Sequence, residues 1–404
     1  MAGAVAPFVM AQDKSGTKNP ILGEGDHKYE CIHDWGELPS NIKYGNTHSV
    51  CEDAQGHIYI HHTVHKTSDS PDSVVVFDAK GKFVRSWGAM FRGGAHGMYL
   101  RKEGKTEYLY FCDEKHGLIT KRTLKGEEVW TLGYPQDSPI YQKGPGSTGP
   151  GGAAGLNYRP TNIAVAPNGD FWVGDGYGSY YMFHYSVASP TAYPKLVNVF
   201  GGPAPMPAPA AGAGGGRGAG GGRGAGGGRG AGDGAPAGSA AAPPGPAAAP
   251  APAAAAGGGR AARPPAPIEQ MNNPHGNMVD LRDPAKPILL VADRGHGRIV
   301  RYTLDDKPID IVEGTRSPCY FHEHAGNIVV PDLTGPVIIL DKDNKVAASM
   351  GTGPGNPPRT TEDRSKFIPG QFVAPHGAAF DHTGNIFVVE WVEIGRVTKL
   401  RKVV

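Results

Sequence analysis

The chain has 404 residues, a net charge of +2 and 39% apolar residues, with 61 Gly and 37 Pro. A near-neutral balance leaves no electrostatic footprint for nucleic acid or an anionic membrane surface, and no apolar run approaches the roughly 20 residues a helical bilayer crossing needs. The four cysteines, Cys31, Cys51, Cys112 and Cys319, include no CxxC pair and are too sparse for a disulfide framework or a thiolate zinc site. Buried free thiols are expected, with room for one disulfide.

Residues 1–26 read as a tail. The opening MAGAVAPFVMAQDKS has a short apolar stretch and no basic segment before it, and Val9-Met10-Ala11 resembles a small-residue cleavage site. It is either the remnant of a secretory signal, which would put the protein in the periplasm or outside the cell, or the frayed end of a cytoplasmic protein. Residues 27–404 read as one domain. HKYECIHDW, starting at His27, predicts a lone strand with no unit of its own.

Six repeats then follow. The first is THSVCEDAQGHIYIHH with DSVVVFDAKGKFVRSWG. The second is AHGMYLRKEGKTEYLYFCDEKHGLITKRTLKGEEVW. The third is RPTNIAVAPNGDFWVGDGYGSYYMFHY. The fourth is PHGNMVDL with PILLVADRGHGRIVRYTLDDKPI. The fifth is CYFHEHAGNIVVPDLTGPVIILDKDNKVAAS, and the sixth is PHGAAFDHTGNIFVVEWVEIGRVTKL. Each alternates with period 2 and turns at Asn-Gly-like or Lys-Gly pairs. Units of three or four strands suit propeller blades. The sixth unit lacks a fourth strand and the N-terminal strand lacks a unit, so one completing the other closes a ring where a solenoid would stay open. The expected fold class is all-β, a six-bladed β-propeller.

Two segments interrupt the repeats. Gly144 to Gly155 is a Gly-rich loop. Residues 202–267 are almost purely Gly, Ala, Pro and Arg, with repeated GGGRGAG. That composition cannot bury a core, so a disordered insertion between blades three and four is expected. It has no aromatic to stack on a base, so a passive insertion is expected rather than an RNA-binding segment.

Aligning the units on their turns places His48, His96, His275 and His376 at the start of the innermost strand in four of six units, with Thr161 in the third and Pro318, beside Cys319, in the fifth. Innermost strands line the channel of a propeller, so four imidazoles distant in sequence converge near its axis. Imidazole suits zinc, iron and other divalent transition metals, and three histidines with an open position form a catalytic zinc pattern. A second register, Asp113, Asp175, Asp293, Asp332 and Glu390, ends the second strand and reads as structural bracing of the next turn. The first unit has His62 there, within the cluster HHTVHK.

The motifs TLGYPQDSP, YRPTNIAVAPNGDFWVGDGYG, NPHGNMVDL, VADRGHGRIVRY and PGQFVAPHGAAF give the chain a resemblance to NHL-repeat propellers. It most closely resembles the catalytic core of peptidyl-α-hydroxyglycine α-amidating lyase, from the first unit to the C-terminus apart from the Gly/Ala/Pro tract. The resemblance implies a zinc held by His96, His275 and His376, and a catalytic tyrosine at Tyr177 in Asp175-Gly176-Tyr177, with a phenol pKa drawn down beside the metal. It implies a small-molecule or peptide-like substrate of carbinolamide or hemiacetal type. The family has an arginine after a first-blade histidine; here that histidine matches His62 and the arginine position is Thr63. Arg159, just before the third inner strand, is the candidate to stand in for it, and a substrate without a terminal carboxylate is the corollary. The family also binds calcium partly through an Asp after the last zinc ligand, where this chain has Gly377. His48 is additional. Three other readings stay open: a metal-dependent hydrolase or lactonase, a four-histidine iron oxygenase, and a non-catalytic NHL binding scaffold.

Overall fold

The computed structural model describes residues 19–141, 157–203 and 265–403. The chain divides into two compact units, Met1–Met206 with Ala266–Val404, and Pro207–Pro265. Most of the N-terminal tail, the loop Gly144 to Gly155 and the body of the Gly/Ala/Pro tract lie outside the described residues. The edges of that tract belong to the fold: Met271 donates its N–H to the Gly202 carbonyl at 2.7 Å, and Arg298 donates to the carbonyls of Ala266 and Pro267.

The first unit holds six antiparallel sheets. In five of them four strands follow chain order from the inside outward or the reverse. The sixth runs Pro375–Phe380, Ile386–Glu390, Arg396–Lys402, then Tyr29–Ile32 and Ile21–Leu22. The N-terminal strand therefore supplies what the last repeat lacks, with Tyr29 opposite Lys402 and Cys31 opposite Leu400. The domain begins earlier than the expected residue 27, because Ile21 and Leu22 pair with Glu30 and Tyr29.

Apolar cores lie between successive blades, and the strand period explains how one strand serves two of them. Val75 and Phe77 pack towards the last blade with Ile58 and Ile60, whereas Val74 and Val76 pack towards the second blade with Tyr59. A strand covered on both faces reads as an unbroken apolar run such as VVVF, because neither face meets water. Three of the four thiols fill these cores: Cys31, Cys51 and Cys112. All four cysteines are buried and unpaired. No helix of the described residues is long and apolar enough to cross a membrane.

Polar latches join the blades further out. The Asp306 carboxylate, on an outer turn of blade four, accepts from Trp172 Nε1 at 2.6 Å, lies 2.9 Å from His184 Nδ1 and accepts from Asn198 Nδ2 at 2.9 Å. Trp172 is 1% exposed, so its indole N–H has no water to turn to. Asp306→Ala is expected to cost about 1–3 kcal/mol, read as a lowered urea midpoint. No change in midpoint would show the latch to be idle.

Candidate metal centre

The histidines occupy the second residue of the inner strands Thr47–Glu52, Ala95–Glu103, Pro274–Asp280 and Pro375–Phe380. The residue before each pairs with the end of the second strand: Thr47 with His62, Ala95 with Asp113, Pro274 with Asp293, Pro375 with Glu390. Blade five repeats this bridge as Pro318 with Asp332. The expected alignment is thus off by one there, and Cys319 holds the ring position. With Thr161 from blade three, the ring is His48, His96, Thr161, His275, Cys319 and His376.

Three of the rings are oriented alike. His96 Nδ1 lies 2.6 Å from the Thr161 carbonyl, His275 Nδ1 2.8 Å from that of Cys319, and His376 Nδ1 3.0 Å from that of His48. Each carbonyl belongs to the next blade's ring residue. A carbonyl only accepts, so Nδ1 carries the proton and Nε2 keeps its lone pair towards the channel, the tautomer in which metal-bound histidines are commonly held. The glycine after each histidine makes this possible. A Cβ at Gly97, Gly276 or Gly377 would stand 2.5 Å from that same carbonyl. This also accounts for the absent aspartate at 377: no side chain fits, so the calcium contact implied by the resemblance has no counterpart at that residue.

His48 differs. Serine follows it, and Ser49 Oγ donates to the His96 carbonyl at 2.6 Å. The acceptor that would anchor His48 is taken, and its Nδ1 is buried without a partner.

The four rings form two triangles sharing an edge. His96 and His376, 4.8 Å apart between centroids, both contact His275 (4.8 and 4.7 Å) and His48 (4.8 and 4.5 Å). Donor atoms within 4.8 Å of one another fall into His48, His96 and His376, and into His275, Cys319 and His376. All five side chains are nearly inaccessible, between 1% and 6% exposed. Burial lowers every imidazole pKa, that of His376 to about 3. The rings are therefore neutral, as metal ligation requires. The buried Nε2 of His376 has no hydrogen-bond partner. The expected trio His96, His275 and His376 is divided between the two donor groups rather than forming one of them; the buried nitrogen donors suit a divalent transition metal.

Tyr177 stands on the loop after the second strand of blade three. Its hydroxyl is 3.2 Å from His96 Nε2 and 3.1 Å from His275 Nε2, and accepts from Arg294 Nη2 at 3.2 Å. Its ring lies between two guanidiniums, with Arg159 at 5.3 Å and Arg294 at 5.2 Å from its centroid. Without metal the phenol is raised above its ordinary value rather than drawn down, because burial outweighs the guanidinium of Arg294. Arg294 is a site residue that the sequence reading passed over. It follows Asp293 directly, as Tyr177 follows Asp175 by two, so the loop after the second strand was the signal. Arg159 meets the Tyr177 ring by its face, while its head group pairs with Glu114.

Below the ring the channel is plugged. Tyr320, from blade five, reaches across to donate to the Met98 carbonyl of blade two at 2.8 Å. His62 lies apart from the cluster. It is fully buried against Tyr44, with its Nδ1 accepting from the Val64 N–H at 3.1 Å. Thr63 lines a cleft of about 330 Å³ together with Lys66, Arg92, Lys115 and Glu393. The absence of an arginine at 63 does not leave that surface without positive charge. The acidic register braces the ring: Asp175 accepts from the N–H groups of Arg159 and Ser179, and Asp332 from those of Arg316 and Ser317.

No protein-family profile matches the chain, and no curated protein matches it. Solved structures similar to it include a streptogramin B lyase, at 10% identity over 92% of this chain and 97% of that one, with a TM-score of 0.48. A virginiamycin B lyase from Staphylococcus aureus is 12% identical over 90% and 98%, with a TM-score of 0.43. A nidogen/laminin complex is 11% identical over 75% and 79%, with a TM-score of 0.43. Lyases and a nidogen/laminin complex stand side by side in this set, so it carries nothing about activity; the six-bladed propeller rests on the strand pairing itself.

Proposed function

We propose that this chain is a metal-dependent lyase whose channel site cleaves a small carbinolamide- or hemiacetal-like substrate. One observation carries the reading: three neutral imidazoles, each fixed through Nδ1 by a neighbouring blade, turn Nε2 towards the channel beside a tyrosine hydroxyl that a guanidinium also contacts. His96, His275 and His376 would hold zinc. Bound there, zinc would supply Lewis-acid polarisation of the substrate hydroxyl and lower its pKa.

The chain's own groups supply the proton path. Tyr177 takes the proton from the substrate hydroxyl as the carbon–nitrogen or carbon–oxygen bond breaks. It returns that proton to the departing nitrogen or oxygen, giving an aldehyde and an amide or alcohol, so no external acid or base is consumed. Arg294 favours the phenolate that begins and ends this cycle by donating to its oxygen. The plug at Tyr320 closes the far side, which leaves substrate to enter past Tyr177.

His48 contacts both His96 and His376, and this favours a second reading, a four-histidine iron centre of oxygenase type. Elemental analysis of purified wild type, His275→Ala and His48→Ala separates the two. Near-stoichiometric zinc, lost in His275→Ala and kept in His48→Ala, with conversion of an N-acyl carbinolamide to aldehyde, supports the lyase. Iron lost in both variants supports the oxygenase. No metal under any divalent supply would leave a binding scaffold.

A further inference from the structure

The fifth ring position breaks the nitrogen pattern, and the thiol there differs from the other three in the protein. Cys31, Cys51 and Cys112 are embedded in apolar cores between blades. Cys319 belongs to none of those cores. It is 1% exposed among polar groups, with its sulfur within 4.8 Å of donor nitrogens of His275 and His376. Its present contacts are weak: the Ser317 carbonyl at 3.4 Å and Arg294 Nη1 at 3.9 Å. The register is the second observation, because the bridge Pro318–Asp332 places Cys319 where three other blades, each through the equivalent bridge to an acidic residue, place a histidine. The third is the buried Nε2 of His376, which has no other partner.

We infer that Cys319 is a thiolate ligand of the channel metal, completing with His275 and His376 a nitrogen–sulfur donor set. The inference rests on the metal-binding reading above and deepens it. The residue acts twice: its carbonyl fixes the His275 ring through Nδ1, and its sulfur binds the same ion. As the metal–sulfur bond forms, the thiol proton passes to solvent. A sulfur donor is soft, so the site favours zinc, cobalt or copper and discriminates against magnesium and calcium.

The test uses the full chain, stripped with chelator and reloaded with Co²⁺. Wild type is expected to bind one equivalent and to show a near-ultraviolet sulfur-to-cobalt charge-transfer band. Cys319→Ala and Cys319→Ser are expected to lose that band while keeping the visible cobalt bands. X-ray absorption of the zinc-loaded wild type needs no variant and should show a zinc–sulfur shell at about 2.3 Å. Bound cobalt without the band, a band surviving in both variants, or a zinc shell of nitrogen and oxygen alone would each overturn the inference and leave the lyase reading standing. Failure of the wild type to bind cobalt or zinc would remove both.

Discussion

Tyr177→Phe is expected to lower turnover of a carbinolamide substrate by about two to four orders of magnitude, the usual worth of a positioned proton-transfer group. The variant removes the hydroxyl with its contacts to His96, His275 and Arg294 and leaves the ring in place. The ring remains available to the guanidiniums of Arg159 and Arg294, which approach its face. The three Nδ1 anchors of the histidines involve backbone carbonyls and are untouched. Metal content and KM should therefore stay near wild type while kcat falls. The pH profile gives a readout that packing alone would not move: the limb belonging to the phenol should disappear. A loss below tenfold with metal retained would mean that another group moves the proton.

The site was legible in the sequence as far as its periodicity was strict. Period-2 alternation and turn chemistry carry the blades, and the fourth strand that the last unit lacks is the unassigned N-terminal one. His-Gly dipeptides at 96, 275 and 376 marked the ring. Their meaning lay in a clearance that no sequence displays: the glycine leaves room for a neighbouring carbonyl, and that carbonyl sets the tautomer. The contrast with His48-Ser49 was visible but unread for the same reason. Blade five misled because its inner strand, His322–His324, is short and detached from the Pro318 bridge, so counting from the turn fell one residue short of Cys319. Arg294 was hidden behind Asp293, whose bracing role absorbed the reading of that loop. His62 broke its repeat and drew a functional reading, yet it is buried beside Tyr44 and accepts a backbone hydrogen bond.

Those buried first-blade histidines should make the protein acid-sensitive. His61 and His62 are 0% exposed. Burial holds both at about 3, with His62 lowering His61 further, and the His96 and Asp72 backbones offset it only in part. In the unfolded chain an imidazole titrates near 6.5. Above that value both states are neutral and neither histidine contributes a pH dependence. Between about 6.5 and 3 the unfolded state takes a proton that the folded state refuses, so stability falls as pH falls, by about 1.4 kcal/mol per pH unit for each histidine. Two units into that window the pair costs roughly 5.5 kcal/mol, comparable with the whole stability of a modest domain.

His61→Phe isolates one half of this. The ring lies edge-on to Phe91 and Phe111, at 5.6 and 5.0 Å, and neither of its nitrogens makes a well-formed hydrogen bond. A phenyl group suits those neighbours, so the change at neutral pH should stay within about 1.5 kcal/mol. Below about pH 6.5 the variant should lose stability less steeply than wild type, by about 1.4 kcal/mol per pH unit. Urea midpoints measured across this range on chelator-treated wild type and variant give the difference, with the ring histidines retained in both. Parallel acid arms would show that His61 is already protonated in the folded protein, and the burial argument would fail for it.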